Sequence, residues 1–515
     1  MRVRQLASRS RQVCLLLAAL GMRVAHAQGL NPYGPMTPAQ PPAPLGSARE
    51  PEESAEQASP TAPEKYPSVS TPDPVPIGAD QKRALPSYDP NPRRNSGPAP
   101  FLWLPRILLA PLYLTSEFVL RRPLAAGASY AETQLWPARL IDFFTWNDRK
   151  AGLVPVVLDD WGFRPNFGLY LFWQDAFAPG NDLHLLTGFA GTDWLRAQFT
   201  DRLALTASQG LELRAYASTR GDHLFWGLGP ESPSDPVRFG ATDLESRLRY
   251  RVLGWRNSRL DGAVRLRRVS FDDRPDEYAD SSLAAAVASA RLQALPAGLP
   301  GYAVASASIQ TVFDTRPARS LAPARSASDF EPLPGSGVRL TLAADYASEL
   351  KSAAQTGNGA HDWLTYGGSL GGYVDLTGQQ RTLGLTVSSR FADPVGSTLP
   401  IPFTELPSLG GNDLLRGFRP LRLIDRSAIA AELDYRWPVW AYLDGHLDLG
   451  LGNVFAEHLA GFDWQRLRLS AVLGVRTLGS LDYPFEVLIG LGTQTLASGA
   501  RPEEVRFIFG TSSEF

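Results

Sequence analysis

The stretch from Thr242 to Val252, TDLESRLRYRV, alternates between apolar and charged side chains. Alternate side chains of a β-strand point to the same face, so this stretch would present one apolar face and one charged face. The two faces are Leu244, Leu248, Tyr250 and Val252 on one side, and Glu245, Arg247, Arg249 and Arg251 on the other. A face with four charges is unsuited to the core of a soluble sheet. It suits a transmembrane β-barrel, which meets lipid outside and water inside.

The same alternation recurs along the chain, for example in RLDGAVRLRR (259–268) and GVRLTLAADY (337–346). The competing architectures, a soluble β-sandwich or a propeller, would bury one face of each strand and would rarely line it with charge. The sequence therefore predicts an all-β fold, a 16-stranded antiparallel transmembrane β-barrel over residues 151–515. The predicted strands start near residues 153, 166, 181, 194, 210, 242, 260, 302, 337, 363, 381, 427, 444, 468, 485 and 504.

The first 27 residues have the pattern of a secretory signal peptide. Arginines precede the apolar core Val13–Leu20, and Ala25-His26-Ala27 provides a small-residue cleavage site. The single cysteine of the chain, Cys14, lies in this segment, so the mature chain would contain none. A closed barrel needs no disulfide because every strand edge is paired. We expect the bacterial cell outer membrane as the location after signal-peptide cleavage.

Two further segments precede the barrel. Residues 29–100 contain 18 prolines and neither Phe nor Trp, which predicts a disordered Pro-rich linker over residues 28–100. Residues 101–150 are apolar and aromatic, and we interpret them as an amphipathic helical segment beneath or within the barrel. A transmembrane helix is the alternative, but Pro105, Arg106 and Pro111 interrupt the apolar run.

Composition excludes several classes of function. A net charge of −2 argues against nucleic-acid binding, which usually needs a basic surplus. The six histidines show no metal-ligand spacing, and the sequence contains no nucleophile elbow or phosphate-binding loop. The adjacent carboxylates Asp159-Asp160 are typical of a turn. We therefore expect no enzyme activity, no catalytic residues, no cofactor and no bound metal.

Two features in the C-terminal part of the chain bear on its export and its function. The terminal VRFIFGTSSEF places Phe507, Phe509 and Phe515 on one face, a pattern typical of barrels exported to the bacterial outer membrane. The stretch LPSLGGNDLLRGFRPLRLIDRS, Leu406–Ser427, belongs to a predicted loop of more than thirty residues (about 392–425) without period. Loops of this length are usually functional, and we expect this one to fold back into the barrel.

This loop resembles the hallmark of the bacterial surface antigen superfamily, the BamA/TamA-type outer-membrane assembly factors and their two-partner-secretion relatives. In that family the loop re-enters the barrel and its R-G-F/Y tip meets an aspartate on the wall. The resemblance assigns the tip to Leu415, Arg416, Gly417 and Phe418 and the wall to Asp448 and Gly450, with His446 at the position of the family's aromatic residue. A buried arginine needs a carboxylate, which agrees with this pairing.

Other motifs resemble the family in the same order along the chain: RLIDFFTWNDRKAGLVPVV (139–157), FWGLGPES (225–232), VFDTRPARS (312–320) and ELDYRWPV (432–439). The resemblance covers about residues 101–515. It implies partners in the outer-membrane bilayer and among nascent outer-membrane proteins or lipoproteins, with no role for nucleic acid. One departure is the Pro-rich linker, which stands where assembly factors carry periplasmic repeat (POTRA) domains.

Three functions stay open at this point. The resemblance implies aid to the insertion or export of proteins at the outer membrane, with the first-to-last strand seam as the working part. The second hypothesis is a gated or passive channel with the loop as its plug. The third is a structural or surface barrel without assembly activity. The missing periplasmic repeats favour the second and third hypotheses, whereas the loop motif favours the first.

Overall fold

The period-two segments form strands that close on themselves. The computed structural model describes Tyr130, Arg139 and residues 142–272, 282–292, 295–316, 335–350, 361–376, 381–396, 399–440, 443–477 and 485–511. The predicted signal peptide, the linker and Phe515 lie outside the described residues, as does most of segment 101–150. Of that segment, residues 142–144 are helical, and Thr145–Trp146 pairs with the start of the barrel.

Sixteen barrel strands run antiparallel to their neighbours. Their bounds are β1 Ala151–Asp160, β2 Asn166–Gln174, β3 Asn181–Gly191, β4 Trp194–Ala204, β5 Gln209–Phe225, β6 Val237–Leu253, β7 Arg259–Asp272, β8 Tyr302–Asp314, β9 Gly337–Glu349, β10 Asp362–Asp375, β11 Thr382–Val395, β12 Ser427–Trp440, β13 Leu443–Phe455, β14 Arg468–Thr477, β15 Phe485–Thr495 and β16 Pro502–Thr511. Each pairs with the next in sequence, and β16 pairs with β1, so the sheet is closed. The predicted fold and strand number are confirmed.

The alternation predicted for β6 is present in the structure. Leu244, Leu248 and Tyr250 on its outer face are exposed at the barrel surface, whereas Arg247 and Arg249 between them face the lumen and are half-buried. Because apolar groups cover the outside, the surface suits lipid. No helix among the described residues is long and apolar enough to cross a membrane.

The apolar core lies inside the barrel, and residues of a long connection between two strands contribute to it. One short helix, α1 Leu283–Ala288, begins at the N-cap Ser282, whose side chain accepts a hydrogen bond from the Ala285 amide. This helix packs with Phe225, Phe239 and Phe403. Phe403 belongs to the connection between β11 and β12, so this loop contributes to the core.

Candidate functional site

The connection from β11 to β12, residues 396–426, is called the lid loop here. It contains one 3₁₀ turn, Phe403–Glu405, and two short strands, Ser408–Leu409 and Leu423–Ile424, that pair with each other. Leu409, Leu415, Phe418 and Leu423 are buried against strands β12 and β13. The lid loop is therefore a folded element held against the inside of the wall, as the sequence predicted of a re-entrant loop.

The tip of the lid loop fits a part of the wall that lacks side chains. The Phe418 ring lies against Gly492, and the Leu415 side chain lies against Gly450. A Cβ atom on Gly490 would lie only 3.0 Å from the Gly417 Cα, so alanine there would force the tip away. The Gly417 amide donates a hydrogen bond of 2.9 Å to Ser470 Oγ on β14. Wall glycines thus allow backbone to approach backbone.

Arg416 makes its closest ion pair with a residue that the sequence analysis did not single out. Its guanidinium donates two hydrogen bonds to the Glu486 carboxylate on β15, of 3.0 and 2.6 Å. The predicted partner, Asp448, lies farther away, with 3.9 Å between Arg416 Nη1 and Asp448 Oδ2. The Glu486 side chain is fully buried, and a bidentate arginine–carboxylate pair fixes orientation as well as charge. The Arg416–Asp448 pairing remains a prediction as a functional unit.

His446 connects the two carboxylates of this cluster. Its Nδ1 is hydrogen-bonded to Asp448 Oδ2 at 3.2 Å, and its Nε2 lies 3.0 Å from Glu486 Oε1. Arg476 on β14 donates a longer hydrogen bond of 3.4 Å to the same Glu486 oxygen. The histidine at the family's aromatic position therefore takes a polar role, which joins strands β13 and β15.

Glu405 anchors the lid loop to the opposite side of the lumen. Its carboxylate accepts hydrogen bonds from Arg265 (2.8 Å) and Arg267 (2.7 Å) on β7, and from the Tyr302 hydroxyl (2.9 Å). Burial works to raise the pKa of Glu405, but the two guanidinium groups outweigh it and hold the pKa below its ordinary value. Phe403, two residues before Glu405, makes an edge-to-face contact with Phe225.

A third anchor joins the lid loop to the FWGLGPES segment between β5 and β6. Arg422 donates hydrogen bonds to Ser232 Oγ (2.6 Å) and to Glu503 Oε1 on β16 (2.7 Å). Its guanidinium also lies 5.6 Å from the Trp226 ring centroid, within cation–π range. The lid loop therefore connects the loop between β5 and β6 with the last strand, β16.

The ladder between β16 and β1, called the seam here, is short. Three residue pairs are in register, Ile508–Asp160, Phe509–Asp159 and Gly510–Leu158. The ladders on either side of it, β15–β16 and β1–β2, have nine and eight pairs. One further backbone hydrogen bond, from the Trp161 amide to the Phe507 carbonyl, lies at its edge. The seam has fewer pairs than either neighbour.

Side chains reinforce the seam from within the lumen. Arg506 on β16 pairs with Asp160 on β1, with 2.7 Å between Nη2 and Oδ2. The same guanidinium donates to the backbone carbonyls of Gly411 and Arg416 in the lid loop. Arg419 of the lid loop donates to the Trp161 carbonyl at 2.9 Å. The lid loop thus contacts β16 and the residue that directly follows β1. The expectation that Asp159-Asp160 form a turn is wrong, because these residues pair at the end of β1.

The remaining predicted residues lie outside this cluster. Phe507 and Phe509 face outward from β16 and are partly exposed, and the Phe509 ring makes an edge-to-face contact with Phe485 at 5.0 Å. The structure does not bring them near the lid loop tip. Within the described ranges no group of three or more His, Cys, Asp or Glu side chains could hold a metal ion.

Comparison with known proteins gives one sequence match and several structural ones. The profile described as the Omp85 superfamily domain matches residues 195–468. BamA from Haemophilus ducreyi, solved without POTRA domains 1–3, is 11% identical over 70% of this chain and 70% of its own, with a TM-score of 0.47. CdiB from Acinetobacter baumannii is 11% identical over 70% of this chain and 59% of its own, with a TM-score of 0.42. No significant match occurs among curated proteins.

Proposed function

The chain belongs to the Omp85 superfamily, and on that premise we propose that it helps to insert or export proteins at the bacterial outer membrane. The family handles protein substrates by assembly or translocation. For this chain we propose in addition that the seam opens to receive a strand or segment of the substrate protein. Nascent outer-membrane proteins or lipoproteins are the proposed cargo. Residues 1–27 are proposed to direct export as a cleaved signal peptide. Residues 28–100 are proposed to be a disordered linker that precedes the barrel part of the chain.

The short seam is the observation that carries this proposal. Each ladder hydrogen bond that is absent lowers the cost of parting two strands, and the seam has three pairs where its neighbours have nine and eight. In lipid an open strand edge leaves backbone groups unsatisfied, which costs several kcal/mol per group. A substrate strand that pairs with the open edge removes this cost by β-augmentation. The seam therefore favours opening that is coupled to a substrate.

The lid loop supplies the means to control the seam. Arg506 contacts both Asp160 and the lid loop carbonyls, so a movement of the lid loop away from the wall removes two of its acceptors. The tip, Leu415 to Phe418, packs on Gly490 and Gly492 of β15 beside the seam. We propose that displacement of the lid loop and opening of the seam occur together.

A disulfide across the seam tests the proposal. Asp159→Cys with Phe509→Cys joins register partners in a mature chain without other cysteines. Val487→Cys with Phe509→Cys is the matched control, because it shares one substitution and joins β15 to β16. Each variant replaces the native gene in its host, and outer-membrane fractions are scored for other barrels and exported proteins. Oxidation should abolish the activity of the seam pair, reduction should restore it, and the control pair should stay active.

Full activity of the oxidised seam pair, with the disulfide shown by gel shift, would contradict a working seam. Loss of activity in both pairs would also contradict it, because the effect would then not be specific to the seam. Depletion of the unsubstituted protein tests the assembly proposal itself. If the amounts of other outer-membrane proteins do not change on depletion, the assembly proposal is wrong regardless of the seam.

A gated channel is the second candidate, favoured by a cavity of about 850 Å³ in the lumen beside the lid loop. The cavity is lined by charged side chains of β4–β7 and bounded by residues 408–413 of the lid loop. In planar bilayers Arg416→Ala should then raise the single-channel conductance, because Arg416 holds the lid loop tip to Glu486. A pore that stays tightly closed in this variant would count against a plug.

A further inference from the structure

The first barrel strand, β1, carries a proline at its centre. Along one edge β1 pairs with β2 from Ala151 to Leu158. Along the edge that faces β16, the seam ladder in the described part of the chain covers Leu158 to Asp160. Pro155, in the sequence LVPVV, lies between the start of β1 and this ladder. Because proline has no N–H to donate, it is found in sheets on edge strands, at strand starts and at bulges. A closed barrel offers such a residue an edge at its seam.

The donor that Pro155 lacks belongs to the seam and not to the ladder with β2. In an antiparallel sheet, alternate residues of a strand direct their N–H and C=O groups to the same neighbour. The Trp161 amide donates to the Phe507 carbonyl of β16 at 2.9 Å. The Val157 carbonyl oxygen lies against Gly510, also on β16. Odd-numbered residues of β1 therefore direct their backbone groups toward β16, and Pro155 is one of them.

The start of the same edge is covered by the chain that precedes the barrel. Thr145–Trp146 pairs with Gly152 and Ala151. These two residues of β1 also pair with β2, so Thr145–Trp146 must lie on the edge that faces β16. The section between this short pairing and the seam ladder runs from residue 153 to residue 157. Pro155 is at its centre.

A strand that lay against this section would receive no hydrogen bond from Pro155. A residue whose backbone faces its antiparallel neighbour normally donates one hydrogen bond and accepts another. Opposite Pro155, the carbonyl of the neighbouring strand would stay unsatisfied. Pro155 is exposed on the outer face of the barrel, where lipid cannot replace the missing donor as water would. Continuation of the seam ladder past Pro155 is therefore unfavourable.

We propose that Pro155 limits the length of the seam and the section of β1 on which a substrate strand can be received. The ladder with β16 is confined to the end of β1, and an incoming strand meets the same limit. Such a short pairing can be parted and re-formed, which suits a strand that must exchange partners. The part that concerns a substrate rests on the proposed function, whereas the limit on the seam does not.

Pro155→Val tests the limit, because it restores the N–H and keeps an apolar side chain that suits a strand and lipid. Hydrogen exchange of the full chain, in lipid nanodiscs, is followed by mass spectrometry on peptides from β1 and β16. We expect the seam amides to exchange about three- to tenfold more slowly, as one additional net hydrogen bond implies. Pro155→Ala should act in the same direction, which keeps the test valid if one variant folds poorly.

Pro502→Val is the matched control. Pro502 is the first residue of β16 and pairs with Thr493 of β15, outside the seam. Both variants replace proline by valine, so they share the added freedom of the unfolded chain. Seam exchange in Pro502→Val should equal that of the unchanged protein. Seam exchange that is unchanged or faster in folded Pro155→Val would overturn the role of Pro155.

The activity of Pro155→Val separates this inference from the proposed function. When the variant replaces the native gene, a longer seam should lower the amounts of other outer-membrane proteins that are inserted or exported. Slower seam exchange with full activity would uphold Pro155 as the limit of the seam. The same result would overturn its role in the reception of a substrate strand, and with it the working seam.

Discussion

Two parts of the lumen wall carry inward charges, but they differ in what meets those charges. The wall formed by β13–β16 and β1, called the lid wall, pairs Glu486 with Arg416 and joins Arg506 to lid loop carbonyls. The wall formed by β4–β7, called the open wall, presents Arg214 and Arg247 to a cavity. Both arise from the same alternating pattern in sequence. The difference depends on where the lid loop packs.

Glycine explains where the lid loop packs. Inward positions of the lid wall include Gly450, Gly490 and Gly492, which leave room for the tip. Inward positions of the open wall include long side chains such as Arg214 and Arg249. An inward-facing glycine on a barrel strand therefore marks a place of close backbone approach. Charged residues beside such glycines pair with the tip of the lid loop, whereas charged residues of the open wall line the cavity or pair with Glu405.

The largest effect should follow from the removal of the buried carboxylate of the lid wall. Glu486→Gln removes the closest counter-charge of the buried Arg416 and leaves Asp448 at 3.9 Å, which costs about 3–5 kcal/mol in the free energy of unfolding. Urea unfolding in detergent measures it. Glu457→Gln is the control, because Glu457 pairs with Arg426 of the same lid loop but is more than half exposed. Its loss should stay below about 1 kcal/mol. Equal losses would contradict the role assigned to Glu486.

A smaller effect should follow from a methyl group between the lid loop and its wall. Gly490→Ala places Cβ 3.0 Å from the Gly417 Cα, and overpacking of this kind costs about 1–3 kcal/mol. Gly372→Ala is the control, since a Cβ there meets nothing within 4 Å. Alanine should be neutral or stabilising at that strand position, by up to about 1 kcal/mol. If Gly490→Ala leaves urea unfolding unchanged, the lid loop does not pack on this glycine.

The smallest effect concerns the carboxylate of Glu405, through which the lid loop pairs with arginines of the open wall. The pKa of Glu405 lies below its ordinary value of 4.5, so its ion pairs stabilise the fold fully above that value. The stabilisation is lost as pH falls through the lowered pKa. The difference in thermal midpoint between the unchanged protein and Glu405→Gln should therefore shrink below about pH 4.5. A difference that is constant from pH 7 to pH 3 would contradict this.

The sequence predicted the barrel well because period two is enforced by lipid outside and water inside. Predicted and observed starts coincide for eight strands, at residues 166, 181, 194, 302, 337, 427, 468 and 485, and the largest deviation is β6, which starts at 237 instead of 242. The early part of β6, VRFGA, escaped because it is buried against α1 and lacks charged alternation. Alternation of apolar and charged residues indicates strand positions with lipid on one face and water on the other. It says little about strand residues that are packed against other parts of the protein.

The site was harder to predict than the fold. Arg416 was identified through the R-G-F resemblance, but Glu486 was not, since neither motif nor sequence distance connects them. Its signal was a single carboxylate in the apolar run FEVLIG, at an inward position. The choice between Asp448 and Glu486 depends on the stagger of β13 against β15, and the short seam depends on the stagger of β16 against β1. Alternation fixes which face a residue occupies, but the stagger follows from closure of the whole sheet.

The central claim is that the seam is the ladder that opens, and amide hydrogen exchange tests it most directly. Peptides from β16 and β1 are compared with peptides from β6 and β7, which share a ladder of fourteen register pairs. In the unchanged protein the seam amides should exchange faster than those of β6 and β7. Asp160→Asn, which removes the Arg506 ion pair, should accelerate the seam alone. Seam amides as slow as those of β6 and β7 in both proteins would contradict the claim.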